Sequence, residues 1–441
     1  MRSVSSGAVL MGVSQVVTAL TGFATTIVVA RVLGPDGVGA YTIALSLLLI
    51  LGMVASLGLE NGIAWSVASG RWRPRDAFAQ SQLAAIALGA AGVGLSVLLA
   101  ILAPDAFGGL SVGLVALAAA GLPFLISWQY ARWLAVALDR YEAFVLPPAL
   151  VSTLALVGCG AGALVADTTG MLVGLLAAYA LTAAVSVVDG LRHLRDRDRE
   201  PDRAADAPHG AEPLREATAF GLRANAGTAL QFLNYRVDLF VLSAVVTSAE
   251  LGRYSAAVSV TGVMFLAPQT LAYVIFPRVA ALSAGGDEAL EQRNMVEEKS
   301  LRHVSLLTLV SLPIVAAGMA VGIPLLYGSE FDGAIGLGLI LLPGVALFGI
   351  AAVLSATING RGFPQYSLRS AVISTPVALV LYAALIPTLG DVGAALASTA
   401  SYAFNFAVTA VYYRRATGAR VLPLLVPTRD EVADVLALAR R

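Results

Sequence analysis

The chain has 441 residues, 58% of them hydrophobic and 13% charged, with a formal net charge of zero and a mean hydropathy of +0.81. Soluble domains carry about 25% charged residues, so this composition excludes an ordinary soluble enzyme or a nucleic-acid-binding module and indicates an all-α polytopic membrane protein. The single Cys159 rules out a disulfide framework. No histidine has a ligand-type partner at metal spacing, so neither a metal nor a cofactor is expected.

A crossing helix needs about 20 apolar residues. Runs of that kind predict twelve spans, at 8–30, 41–67, 78–103, 111–137, 144–166, 171–190, 217–247, 254–276, 303–327, 334–357, 369–389 and 392–413. The first run follows Arg2 but is not closed by an A-x-A site, so it reads as a span rather than a signal peptide. Residues 192–217, RHLRDRDREPDRAADAPHGAEPLREA, are charged, proline-bearing and poor in aromatics, the composition of a hydrophilic linker. The expected organisation is an N-terminal six-helix lobe (1–191), this linker (192–217), a C-terminal six-helix lobe (218–415) and a tail (416–441).

Arginine placement sets the orientation. With the N-terminus inside, 25 of the 28 basic residues fall on inner ends and loops, including Arg71, Arg73, Arg75, Arg192, Arg195, Arg414 and Arg415. Only Arg31 and Arg253 lie outside, and Arg236 lies within a span. This is the positive-inside bias, and it places both termini in the cytoplasm of a cell whose inner membrane holds the protein.

The two halves match in three places: GAY (39–41) with GRY (252–254), LAPDAFGG (102–109) with VGIPLLYGSEF (321–331), and VALDRYEAF (136–144) with ATINGRGFPQY (356–366). Each half begins and ends inside, so the repeats are parallel, related by an axis along the membrane normal. Two such lobes with a cavity between them are the architecture of an alternating-access transporter.

The stretch ARVLGPDGVGAYTIALSLL (30–48) resembles the first-loop signature of polysaccharide-transport and oligosaccharide flippases. Ala30, Arg31, Leu33, Gly34, Gly39 and Tyr41 fit its pattern. The run NYRVDLFVL (234–242), followed by LGRYSAA (251–257), is similar to the same family. These flippases belong to the multidrug/oligosaccharidyl-lipid/polysaccharide exporter superfamily, so the resemblance implies its fold, that of the multidrug exporters called MATE. It also implies transfer of a lipid-linked oligosaccharide, on a prenyl phosphate or pyrophosphate, to the outer leaflet for surface polysaccharide or glycoprotein synthesis. The partners implied are the bilayer, that lipid-linked substrate and glycosyltransferases or other assembly proteins around a functional monomer.

Span seven carries charge where lipid is expected. At 100° per residue Arg223, Gln231, Asn234 and Asp238 share one face, while Arg236 and Asn225 lie opposite. Arg236 and Asp238 are two residues apart and cannot pair on one face. An intramembrane charge costs at least about 2.5–3.5 kcal/mol, so function is the default reading. Arg236 is the candidate phosphate ligand, because a guanidinium binds phosphate bidentately; the alternative is an interhelical ion pair. Asp238 is the candidate ion-coupling group or else a structural acceptor. The polar stripe of Arg223, Gln231 and Asn234 would line the cavity.

Further candidates carry equally plain alternatives. Arg31 is a headgroup contact or an interfacial anchor. Arg132, with Glu60 and Asn61, is a phosphate-entry point at the inner gate or a snorkelling group packed on aromatics. Gln15 and Asn405 line the cavity or join helices, and Asp139, Arg140 and the histidines read as solvated. The rival to a flippase is a cation-coupled multidrug antiporter of the same superfamily, which would favour acids in a compact cavity. A membrane glycosyltransferase would need a large outer loop with catalytic groups. The outer loops here are short, roughly ten residues or fewer, so the chain reads as a transporter and not an enzyme.

Overall fold

A straight helix of 54 residues would run about 81 Å, far beyond the roughly 30 Å of a hydrocarbon core. In the computed structural model, which describes residues 2–197, 212–283, 286–421, 423 and 425, three helical runs are 54 residues or longer and each is broken. Helix α1 (Arg2–Ala55) breaks at Gly34, whose φ of 68° is left-handed, with Pro35 removing the next backbone donor. Helix α2 (Leu59–Ala68) continues the second crossing after a step at Leu57 and Gly58. Helices α3 (Pro74–Leu102), α4 (Val112–Ala119) and α5 (Leu122–Ala137) follow.

Helix α6 (Tyr141–Arg197) breaks at Ala166 and Asp167, between the fifth and sixth predicted spans. The chain doubles back there as a hairpin. A Cβ on Gly162 would collide with the Gly170 carbonyl, and one on Gly174 with that of Gly158. Small residues allow this backbone approach, which is how helices associate tightly in lipid. Helices α7 (Glu212–Ser243), α8 (Ser248–Thr261), α9 (Leu266–Ser283), α10 (Asp287–Leu326) and α11 (Gly333–Gly360) come next, and α12 (Pro364–Thr417) breaks at Gly390, φ 57°. A Cβ on Gly393 would strike the Leu385 carbonyl, so this run is also a hairpin.

Among the described residues, eight continuous stretches are long and apolar enough to cross a membrane. Three of these are the doubled runs, and α7 adds a crossing, so the fold has about twelve, as the sequence predicts. The described residues contain no strand. Apolar side chains such as Val165 (87% exposed) and Leu164 (74%) point outward, a surface suited to lipid.

The repeat is visible in local structure. The matched outer turns LAPDAFGG and VGIPLLYGSEF both close in a short 3₁₀ turn, Pro104–Phe107 and Ser329–Phe331, each with a buried phenylalanine. The matched inner turns precede α6 and α12, the two broken hairpins. Gly39 of GAY packs on the Ser248 carbonyl, and Gly252 of GRY packs on the Pro35 carbonyl.

Packing and sequence divide the chain differently. Two compact units meet between Gly252 and Arg253, whereas the linker placed the lobe boundary before residue 218. The difference is α7, which docks in the first unit. Gly62 of α2 leaves no room for a Cβ against the Ala217 carbonyl, nor Gly221 of α7 against that of Gly58. Trp65 stacks on Phe220 with ring centroids 4.5 Å apart, and Ser243 donates to the Ala106 carbonyl at 2.8 Å. The expected linker is also shorter, because α6 extends to Arg197 and α7 begins at Glu212. The first unit's core gathers Leu59, Ile63, Trp72, Ile126, Tyr130 and Leu134. The second gathers Ile275, Val279, Leu301, Val353, Ile358 and Tyr413.

Gly162→Leu should therefore lower the thermal unfolding midpoint of the detergent-purified protein, by overpacking of at least about 1–3 kcal/mol. Gly94→Leu, where a Cβ meets nothing within 4 Å, should leave that midpoint unchanged.

Candidate functional site

Helix α7 supplies most of the expected site. It runs unbroken from Glu212 to Ser243, so residues 223 to 238 share one helical backbone. The side chains of Arg223, Gln231, Asn234 and Arg236 lie outside the described residues. Asp238 is described: it is buried, 3% exposed. Its neighbour Leu239 faces Thr42, Ile43 and Ser46 of α1. The helix end is held by the Ser243 bond to the Ala106 carbonyl and by Ser248 donating to the Gly108 carbonyl.

The other expected residues separate. Arg31 is exposed, three residues before the Gly34 break. Gln15 is exposed and Asn405 half-buried. Glu60 follows the step between α1 and α2, within 3.4 Å of the Ser56 hydroxyl, while the Tyr130 hydroxyl donates to the Ser56 carbonyl at 2.9 Å. Arg132 lies on α5 with its guanidinium 4.1 Å from the Phe144 ring centre and 5.6 Å from that of Trp128. It forms no bond with Arg31 or Asp238.

Arg140 and His193 correct the reading of solvated loop residues. Arg140 precedes α6 and makes a two-pronged bond with Asp189 near its far end, at 2.8 and 3.0 Å. The hairpin brings these positions together, across 49 residues of sequence. His193 is also on α6. Together with Arg132 they line a cavity of about 220 Å³.

A second charged cluster escaped the sequence reading. Glu297 of α10 is 1% exposed and accepts from Arg361 Nε at 2.9 and 3.1 Å. Arg361 also donates to Asn294 at 2.8 Å, and Arg293 Nε approaches Glu297 at 3.6 Å. Burial and the nearby Arg361 lower the Arg293 guanidinium from its ordinary value, with Glu297 opposing. Arg361 lies 64 residues from Glu297, and the local Arg293–Glu297 spacing is that of an ordinary i,i+4 helix pair. The segment EEKSLRH reads only as a polar helix start.

Chemically, these groups can bind anions and fix helices. The described residues contain no group of His, Cys, Asp or Glu able to hold a metal ion.

Comparison with known proteins places these features. The model of a family described as polysaccharide biosynthesis protein matches residues 4–283. A curated relative, the probable low-salt glycan biosynthesis flippase Agl15 of Haloferax volcanii, is 29% identical over 178 residues. That match covers 40% of this chain and 37% of the relative, so the chain spans well under half the length of that protein. Among solved structures, the lipid II flippase MurJ in an inward closed conformation superposes with a TM-score of 0.76 at 14% identity, over 95% of this chain and 89% of that one. An inward-facing multidrug resistance MATE family transporter gives 0.68 at 17% identity, over 91% and 95%. Both likenesses establish the fold.

Breaking the buried cluster should cost far more than breaking a surface pair. Glu297→Ala leaves Arg361 uncompensated and should lose about 3–5 kcal/mol. Glu216→Ala, which breaks the exposed Arg71–Glu216 pair at 2.7 Å, should lose under about 1 kcal/mol. Denaturation of the purified protein in mild detergent reads both.

Proposed function

Because the chain belongs to the polysaccharide biosynthesis protein family, we propose that it moves a lipid-linked oligosaccharide, carried on a prenyl phosphate or pyrophosphate, between leaflets of the cytoplasmic membrane. The observation that carries the reading is α7, an unbroken helix through the bilayer region with Arg223, Arg236 and Asp238 along it. A chain does not keep such charges in lipid without a use for them. Arg236 contacts the phosphate, a role for which a fixed, bidentate cation is suited. Arg223, Gln231 and Asn234 meet the polar head, and Arg31 contacts headgroups at the outer leaflet.

Asp238 is the coupling group. It is 3% exposed, and a carboxyl group so placed is best carried with a neutralising cation or proton, which is what a cation-driven cycle exploits. The arginine bias sets both termini in the cytoplasm, and the protein works as a monomer beside the glycosyltransferases that make its substrate. Agl15 and MurJ, both called flippases, support the substrate class. The likeness to a MATE transporter keeps a second reading in view, a cation-coupled multidrug antiporter.

The test is leaflet transfer of a labelled lipid-linked oligosaccharide in proteoliposomes. Transfer above that of empty liposomes is expected. Transfer equal to empty liposomes, with export of a cationic dye, makes the protein an antiporter. Arg236→Ala and Arg236→Lys should each slow transfer at least about tenfold, the equivalent of 1.4 kcal/mol, at unchanged yield of folded protein. Loss of folded protein in both would make Arg236 a structural ion-pair partner instead. Asp238→Asn should abolish acceleration by an ion gradient while retaining downhill transfer.

A further inference from the structure

The cavity beside Arg132 lies wholly within the first unit, between the end of α5 and the two ends of the α6 hairpin. Its charges are unequally satisfied. Arg140 is neutralised by Asp189 through two hydrogen bonds. Glu142 is exposed in the first turn of α6, where a helix N-terminus favours an acid. Among the described residues Arg132 has no ion pair and no hydrogen bond; its contacts are the faces of Trp128 and Phe144. Its Nε is sealed without a partner, whereas its terminal nitrogens are not sealed.

Two ring faces offset part of the cost of a buried cation, about 0.5–2 kcal/mol each. They supply no negative charge and accept no hydrogen bond in the guanidinium plane. The geometry of a guanidinium edge suits a two-oxygen anion. The walls narrow the class of ligand. Leu134, Leu138 and Leu150 line the cavity, and Leu146 and Val185, 53% and 55% exposed, form its lipid-facing rim. A soluble phosphate compound would gain nothing from such walls. A phosphate joined to a hydrocarbon chain would fill both parts.

We propose that this cavity is a binding site for a lipid-borne phosphate of the cytoplasmic leaflet, with Arg132 gripping the phosphate and the chain lying over Leu146, Leu150 and Val185. The phosphate belongs either to a resident anionic phospholipid or to a prenyl-phosphate carrier. The proposal concerns binding alone and stands whatever the protein transports.

Native mass spectrometry of the delipidated full chain tests it, with phosphatidylglycerol, undecaprenyl phosphate and diacylglycerol titrated separately. Arg132→Gln keeps the side chain's length and removes its charge. It should weaken binding of at least one phosphate lipid about tenfold or more, and leave the weak diacylglycerol binding unchanged. Loss for phosphatidylglycerol alone assigns the site to bilayer lipid, loss for undecaprenyl phosphate alone assigns it to the carrier, and loss for both assigns it to any lipid phosphate. Equal binding of both by wild type and Arg132→Gln overturns the proposal. If Arg132→Gln does not fold, Leu150→Trp, which fills the cavity from its apolar wall, replaces it. It should reduce the same adducts, and unchanged adducts overturn the proposal equally.

Discussion

Lipid offers no hydrogen bonds to a peptide group, and the rest of this structure follows from that constraint. Every amide within the hydrocarbon must be satisfied in its own helix, so the chain can turn only near the interfaces or where neighbouring backbone closes over the break. Glycine makes both solutions possible. At Gly34 and Gly390 it supplies the left-handed backbone that ends one crossing and starts the next. At Gly162 and Gly170 it lets two antiparallel segments meet backbone to backbone. Water drives no association between apolar helices in lipid, so such close contacts are what hold the hairpins together.

The same scarcity of partners governs charge. Arg140 and Asp189 satisfy one another across the α6 hairpin, and Glu297 collects Arg361 and Arg293 where α10 meets the turn after α11. Each pair is useful only because the fold has already brought its members together. Removing one member of a buried pair strands the other, so these clusters fix the geometry of the helix ends. Arg132 differs, a cation held among the described residues by ring faces, and Asp238 is a buried acid on the helix that carries most of the polar candidates.

The crossings were legible because hydropathy integrates over about twenty residues and lipid punishes errors in it. The repeat was legible through its punctuation, the glycines and turns that recur as Gly39 with Gly252 and as the 3₁₀ turns at Phe107 and Phe331. The opposed faces of Arg236 and Asp238 are an expectation from helical periodicity; the α7 backbone is unbroken there, and the Arg236 side chain lies outside the described residues. Arg140 and His193 were read only as solvated groups, though they are partly buried, because a short polar stretch looks the same whether it meets water or the far end of a hairpin. The Glu297 cluster was missed for a related reason: Arg361 is distant in sequence, and Arg293 with Glu297 reads as an ordinary i,i+4 pair on a polar helix.

By itself, then, the sequence determined an all-helical membrane protein of about twelve crossings, a duplicated plan and the placement of charge on α7, since these depend on hydrophobicity and periodicity within one helix length. Tertiary structure alone decided that α7 packs on α2 in the first unit, that Arg140 meets Asp189, and that Arg132 opens into a cavity. Those outcomes rest on which glycine faces which backbone and which side chains converge from separate helices. Such relations arise only when helices pack, and no single span encodes them.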